Sequence, residues 1–74
     1  SKVFILSKVK IRNMSNAIDI EYTLVAENEA DIKVRKISID SPIGKGLLGK
    51  KVGDFVDIQT PGGLLQFEII DITR

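Results

Sequence analysis

Apolar residues along the chain recur mainly with the period of two that marks β-strands, and helical spacing is scarce. After the apolar run Val3–Leu6, Val9 and Ile11 alternate with Lys8, Lys10 and Arg12, a pattern expected of a half-buried strand. Val3 is expected to belong to a strand already. Asn13, Ser15 and Asn16 then interrupt the alternation. Ile18, Ile20, Tyr22, Leu24 and Ala26 fall on one side of the next segment, with Asp19, Glu21 and Thr23 on the other. A short, turn-rich connection joins these two segments, so they are expected to pair, a Lys/Arg edge against an Asp/Glu edge.

Glu27 to Asp31 is polar and reads as a loop. Ile32 and Val34 alternate with Lys33 and Arg35, whereas Ile37 and Ile39 continue on the opposite parity, which implies a bend or bulge near Arg35–Lys36. In Asp40-Ser41-Pro42, Ser41 suits a helix N-cap and Pro42 the first helical position, where its missing N–H is not needed. Ile43 and Leu47 share a face of that helix, with Leu48 beside them, and Gly49 is a natural left-handed stop. Gly44 and Gly46 within so short a helix each cost about 1 kcal/mol relative to alanine, so the helix has to be held by the sheet. The two glycines admit either a closely approaching backbone or partner, or a loose loop. Asp54 to Gln59 reads as a further strand with Phe55 or Val56, and Ile58, inward. Thr60-Pro61-Gly62-Gly63 is a strong turn signal. In the closing segment Leu65, Phe67 and Ile69 lie on one parity and Ile70 and Ile72 on the other, so a bulge or two-sided burial is expected. The sum is an α+β domain of about five mainly antiparallel strands wrapped on one short helix, without internal repeats.

Composition narrows what such a domain can do. The chain has 74 residues and no cysteine or histidine, which excludes disulfide staples, thiolate and imidazole metal sites and nucleophile–histidine catalysis. The longest apolar run is too short for a membrane-spanning helix. Eleven Lys and Arg against ten Asp and Glu leave a formal net charge of +1, which argues against a strongly basic nucleic-acid binder. The charges nevertheless come in blocks of alternating sign: basic to residue 16, acidic over 17–31, basic over 32–51 and acidic beyond. Cross-strand pairing between neighbours is the preferred reading of this alternation, and a single-sign face for a partner is the alternative.

Candidate chemistry is sparse. Asp54 and Asp57 are separated by an odd interval, which points them to opposite faces of a strand. Glu27, Glu29 and Asp31 could collect a hard cation, although a solvated acidic loop is the preferred reading. Gly44-Lys45-Gly46 lacks the spacing and the Lys-Ser/Thr ending of a phosphate loop. The four aromatics, Phe4, Tyr22, Phe55 and Phe67, sit on apolar faces of strands and read as core, which leaves no stacking platform for RNA. A surface that recognises a protein remains.

The stretch Ile37-Ser38-Ile39-Asp40-Ser41-Pro42-Ile43-Gly44-Lys45-Gly46-Leu47-Leu48-Gly49-Lys50-Lys51-Val52-Gly53-Asp54 closely resembles the C-terminal domain of the bacterial Gre transcript cleavage factors, the GreA and GreB elongation factors. Glu29-Ala30-Asp31-Ile32 upstream and Thr60-Pro61-Gly62-Gly63 downstream agree in order, so the resemblance covers residues 1–74 as a single domain. It implies an FKBP-like α+β fold, a curved sheet around a short helix. It further implies docking on bacterial RNA polymerase in the cytoplasm, at the rim of the secondary channel, on a pair of helices of the β′ subunit. By that resemblance Ser38, Asp40 and Pro42 lie in the contact loop, with Ser41 and Ile43 supporting it, and the module is a monomer that needs no cofactor, metal or membrane. Capping of the helix by Ser41-Pro42 is compatible with the same role.

The family's activity resides in an N-terminal helical coiled coil whose acidic tip acts at the polymerase active site to promote hydrolysis of backtracked RNA. No heptad pattern is present here. The chain is therefore expected to be a fragment of a longer protein, or a natural single-domain relative, that binds polymerase without being an enzyme itself. The FKBP-like fold raises a prolyl isomerase as an alternative, and the resemblance to the family's domain raises a related channel-binding inhibitor of the polymerase.

Overall fold

The computed structural model describes residues 2–74. Five strands, β1 (Lys8–Asn13), β2 (Asp19–Val25), β3 (Lys36–Ser38), β4 (Phe55–Thr60) and β5 (Gly63–Thr73), form one sheet in the order β3-β2-β1-β5-β4. β2–β3 is parallel and every other pairing antiparallel. The helix α1 (Pro42–Leu47) packs against both β3 and β4, the two outermost strands. The sheet therefore curls until its opposite edges reach one short helix, as the α+β reading requires.

Val9 and Ile11 of β1, Leu24 of β2, Ile37 of β3, Leu47 of α1, Val56 and Ile58 of β4, and Phe67 and Ile69 of β5 make one buried core with Val3. The alternation places Lys10 of β1 between Glu21 of β2 and Asp71 of β5, and Arg12 between Asp19 and Glu68. The charge blocks thus resolve into an acidic, basic, acidic sequence across three strands, in favour of the cross-strand reading. The Arg12 guanidinium donates Nε–H to Asp19 Oδ1 at 2.8 Å and Nη2–H to Oδ2 at 3.2 Å. The expected irregularity in β5 is a bulge: Lys10 faces Asp71 and Ile11 faces Ile69, leaving Ile70 as the extra residue.

Several expectations are corrected. Val3–Leu6 is not a strand. Val3 is buried and pairs its backbone with Gly49 and Lys50, but Phe4, Ile5 and Leu6 turn outward, with Leu6 at a φ of 73°. The Phe4 N–H donates to the buried Ser7 Oγ, which closes this turn in place of a ladder. Ile32–Val34 is a 3-10 turn, because the Asp31 carboxylate accepts the Lys33 N–H and Arg35 adopts a left-handed φ of 59°. Both Ile32 and Val34 are consequently exposed. The parity change falls at the left-handed Arg35, as the pattern implies, and only Lys36–Ser38 continues as strand. Phe4 and Phe55 are 49% and 54% exposed, so two of the four aromatics are not core. Val56 and Ile58 take the inward positions of β4, which turns Phe55 out. Leu48 is also largely exposed, since it follows the last helical turn as the cap before Gly49, whose φ is 82°.

Gly44 shows why the helix tolerates glycine: a Cβ there would overlap the Ser38 carbonyl oxygen. Close approach of the β3 end to the first helical turn is therefore the reason for the residue. Gly44→Ala should destabilise the domain by about 2 kcal/mol even though alanine is the better helix former, measured by urea unfolding. The hydrogen bond and charge of Arg12, aided by Lys10, hold the Asp19 carboxyl below its ordinary pKa against partial desolvation. A depressed folded-state value stabilises the fold above the unfolded carboxylate range, and this contribution is lost as pH falls through the folded value. An NMR titration should place the Asp19 midpoint below the usual carboxylate range, and Arg12→Ala should raise it.

Candidate functional site

The sequence-predicted site residues converge on the turn that joins β3 to α1. The Ser38 carbonyl accepts the Ser41 N–H at 3.0 Å and the Ser41 hydroxyl at 2.7 Å. The Ser38 Oγ accepts the Asp40 N–H at 2.9 Å. The Ser41 Oγ in turn accepts the Gly44 N–H at 3.0 Å, satisfying one of the otherwise orphaned donors of the helix start. Pro42 follows at the first helical position, where its fixed φ suits the helix. A further bond from Ile39 N–H to the Val25 carbonyl ties the turn to β2.

These bonds divide the five residues into two groups. Ser38 is 9% exposed, and its hydroxyl is already engaged in shaping the turn. Ser41 and Ile43 are half-buried; Ser41 caps, and Ile43 packs against the core. Asp40 and Pro42 face solvent. The Asp40 carboxylate makes no ion pair among the described residues. The turn thus displays one carboxylate and one rigid apolar ring on a backbone whose hydrogen-bonding groups are largely consumed internally.

Beside this turn lies an apolar cleft of about 280 Å³. One wall is Pro42 and Ile43 with Ser41, the floor includes Ile37 of β3, and Ile32 of the 3-10 turn contributes a rim. The far wall is Gln59, Thr60 and Pro61, from the end of β4 and the hairpin that follows. That hairpin is fixed by the Thr60 hydroxyl, which donates to the Gly63 carbonyl at 2.8 Å. Ile32, 65% exposed, is an aliphatic side chain held at the surface beside the cleft.

Ile32, Ile37 and Gln59–Pro61 were not singled out by sequence reasoning. Pro61 announced a turn and Ile32 a strand, but their meeting follows from the curl that brings β3 and β4 to the same helix. No aromatic or ionisable side chain lines the cleft, so its chemistry is suited to apolar contact and not to proton transfer. Glu27, Glu29 and Asp31 are not gathered into a metal site, and among the described residues no group of three potential ligands is. No helix among them is long and apolar enough to cross a membrane.

Comparison with known proteins gives concordant results. A family model described as "Transcription elongation factor, GreA/GreB, C-term" matches residues 1–74. The chain is 62% identical over 74 residues to transcription elongation factor GreA of Flavobacterium johnsoniae, covering 100% of this chain and 47% of that protein. The chain thus spans about half the length of the curated relatives it matches. Among solved structures, GreA factor homolog 1 of Thermus thermophilus superposes with a TM-score of 0.87 at 30% identity, over 100% of this chain and 49% of that one. A GreA/GreB elongation factor from Nitrosomonas europaea gives a TM-score of 0.81 at 37% identity, over 97% and 60% respectively.

Removing the Ser41 hydroxyl deletes both the cap on Gly44 and the bond to the Ser38 carbonyl. Ser41→Ala should cost about 1–2 kcal/mol in urea unfolding. Amide exchange should accelerate at Gly44 in the same variant.

Proposed function

The chain belongs to the GreA/GreB family of transcription elongation factors, whose C-terminal region it matches along its whole length, and on that premise we propose that it is a polymerase-binding module. In this reading the turn at Asp40-Ser41-Pro42 docks on the paired helices at the rim of the secondary channel of bacterial RNA polymerase, in the β′ subunit. The observation that carries the proposal is the display of Asp40 and Pro42 on an internally bonded turn beside an apolar cleft.

The physical logic is preorganisation. Side chains held in place before encounter lose little conformational freedom on binding. Asp40 would meet a cationic group on the partner and, at the rim, contribute orientation and association rate. Pro42 and Ile43 would take an apolar side chain of the partner helix between themselves and Pro61. A helix offering one apolar residue and one basic residue a turn apart fits this spacing of functions. Ser38 and Ser41 serve the interface indirectly, by holding the loop.

The module performs no hydrolysis in this reading. RNA cleavage would be catalysed by the polymerase, and stimulation would come from the coiled coil of the family's other half. The absence of aromatic walls in the cleft weighs against the prolyl isomerase alternative, since a proline-peptide pocket needs them. Asp40→Ala combined with Pro42→Ala should reduce affinity for core polymerase by at least about tenfold, by analogy with the loss of interface anchors. Urea unfolding of the double variant should show a loss of no more than about 1 kcal/mol, the entropic contribution of proline at the first helical position, because neither side chain is buried. Undiminished binding would remove the turn from the interface. The 74-residue chain should not stimulate cleavage in a backtracked complex, and stimulation would overturn the division of labour.

A further inference from the structure

The outer edge of β4 offers a second interaction surface. β4 ends the strand order, so only one of its edges is paired. The Ile69 N–H donates to the Asp54 carbonyl at 2.9 Å, and Asp54 and Ile69 continue the register in which Val56 faces Phe67, Ile58 faces Leu65 and Thr60 faces Gly63. In an antiparallel ladder the bonded pairs alternate, so residues 54, 56, 58 and 60 bond to β5 while Phe55, Asp57 and Gln59 aim their N–H and C=O groups away from it. Among the described residues, none of these three backbones bonds to a loop or to α1. All three residues are exposed, so the helix that covers Val56 and Ile58 leaves the edge itself open. Three outward donors and three outward acceptors form a template for another strand.

Charge selects the occupant. Across the outer face, acidic positions of β2 flank the basic positions of β1, and acidic positions of β5 follow on the other side. Asp57 on β4 lies opposite Gln66 and has no ion-pair partner among the described residues. Glu68, opposite Phe55 on β5, faces Arg12 on its other side, so Asp57 is the carboxylate of the two without a basic cross-strand partner. The alternation breaks at β4, where acidic follows acidic, and a basic strand placed beyond β4 would give Asp57 the opposite-sign neighbour that β5 does not. Self-pairing about a two-fold axis centred on this edge would set Asp57 against its own copy, an unfavourable like-charge pair. The edge is also continuous with the apolar cleft, because Gln59 belongs to both.

We propose that β4 binds an extended protein segment by strand addition along Phe55–Gln59, with a lysine or arginine of that segment opposite Asp57. Backbone bonds supply the attachment, and Asp57 and Phe55 supply the selectivity. This mode is distinct from helix docking at the Asp40–Pro42 turn and does not rest on it.

The test is an NMR titration of the 74-residue chain with a blocked heptapeptide of alternating threonine and valine carrying a central lysine. Saturable shifts should appear at the amides of Phe55, Asp57 and Gln59, with slowed solvent exchange at the same three. A central aspartate in the peptide should weaken binding about tenfold, and Asp57→Lys should invert that preference. N-methylation of alternate peptide amides should abolish binding. The proposal is overturned by shifts confined to the Pro42–Pro61 cleft, by equal binding of the N-methylated peptide, by no saturable change at millimolar peptide, or by self-association of the chain along β4.

Discussion

The packing of the first turn of α1 onto the end of β3 is the contact on which the rest of this structure depends. At that point the Ser38 carbonyl accepts two hydrogen bonds from Ser41, and Gly44 lies where any side chain would collide with the same oxygen. Cap, proline and glycine act together. Ser41 satisfies a helix donor, Pro42 presets the chain direction, and Gly44 permits the approach. A helix of six residues has little stability of its own. Here it is held by Leu47, which is fully buried in the core, and by the two edge strands it touches. The curl of the sheet and the helix are therefore mutually dependent.

The proposed docking draws on that dependence. The residues that make the turn rigid are mostly turned inward, which leaves Asp40 and Pro42 displayed, so that contact through them would carry a low entropic cost. The cleft exists because the β4–β5 hairpin, carrying Pro61, comes to the same helix as β3. The outer face of the sheet follows a different logic. Its alternating charges are largely matched between strands, with Arg12 and Asp19 in direct contact, until the pattern reaches Asp57.

What was legible in the sequence was local. The alternation of Val9 and Ile11 with lysines and arginine, the capping signal at Ser41-Pro42, the turn at Pro61-Gly62 and the parity change after Phe67–Ile69 each show in residues a few positions apart along the chain. The misreadings arose where a tertiary or side-chain effect outweighed alternation. Ile32 and Val34 have strand periodicity, but the Asp31 carboxylate and the left-handed Arg35 fold them into a 3-10 turn. Phe4 and Phe55 are apolar enough for the core, yet Val3 and Val56 occupy the inward positions beside them. Gly44 could not be assigned because its reason, the Ser38 carbonyl, becomes visible only once β3 and α1 are placed together. The far wall of the cleft was hidden for the same reason, since Gln59–Pro61 and Ile32 meet only through the curl.

In the proposed docking, recognition passes through the rigid Asp40–Ile43 turn and the cleft beside it. Cross-saturation NMR of the isotopically labelled chain bound to core RNA polymerase tests this directly. The account predicts that signal loss centres on Asp40, Ile43 and Ile32 and spares Lys8, Lys10 and Glu68 on the outer face of the sheet. Signal loss centred on that charged face, with the turn unaffected, would contradict it.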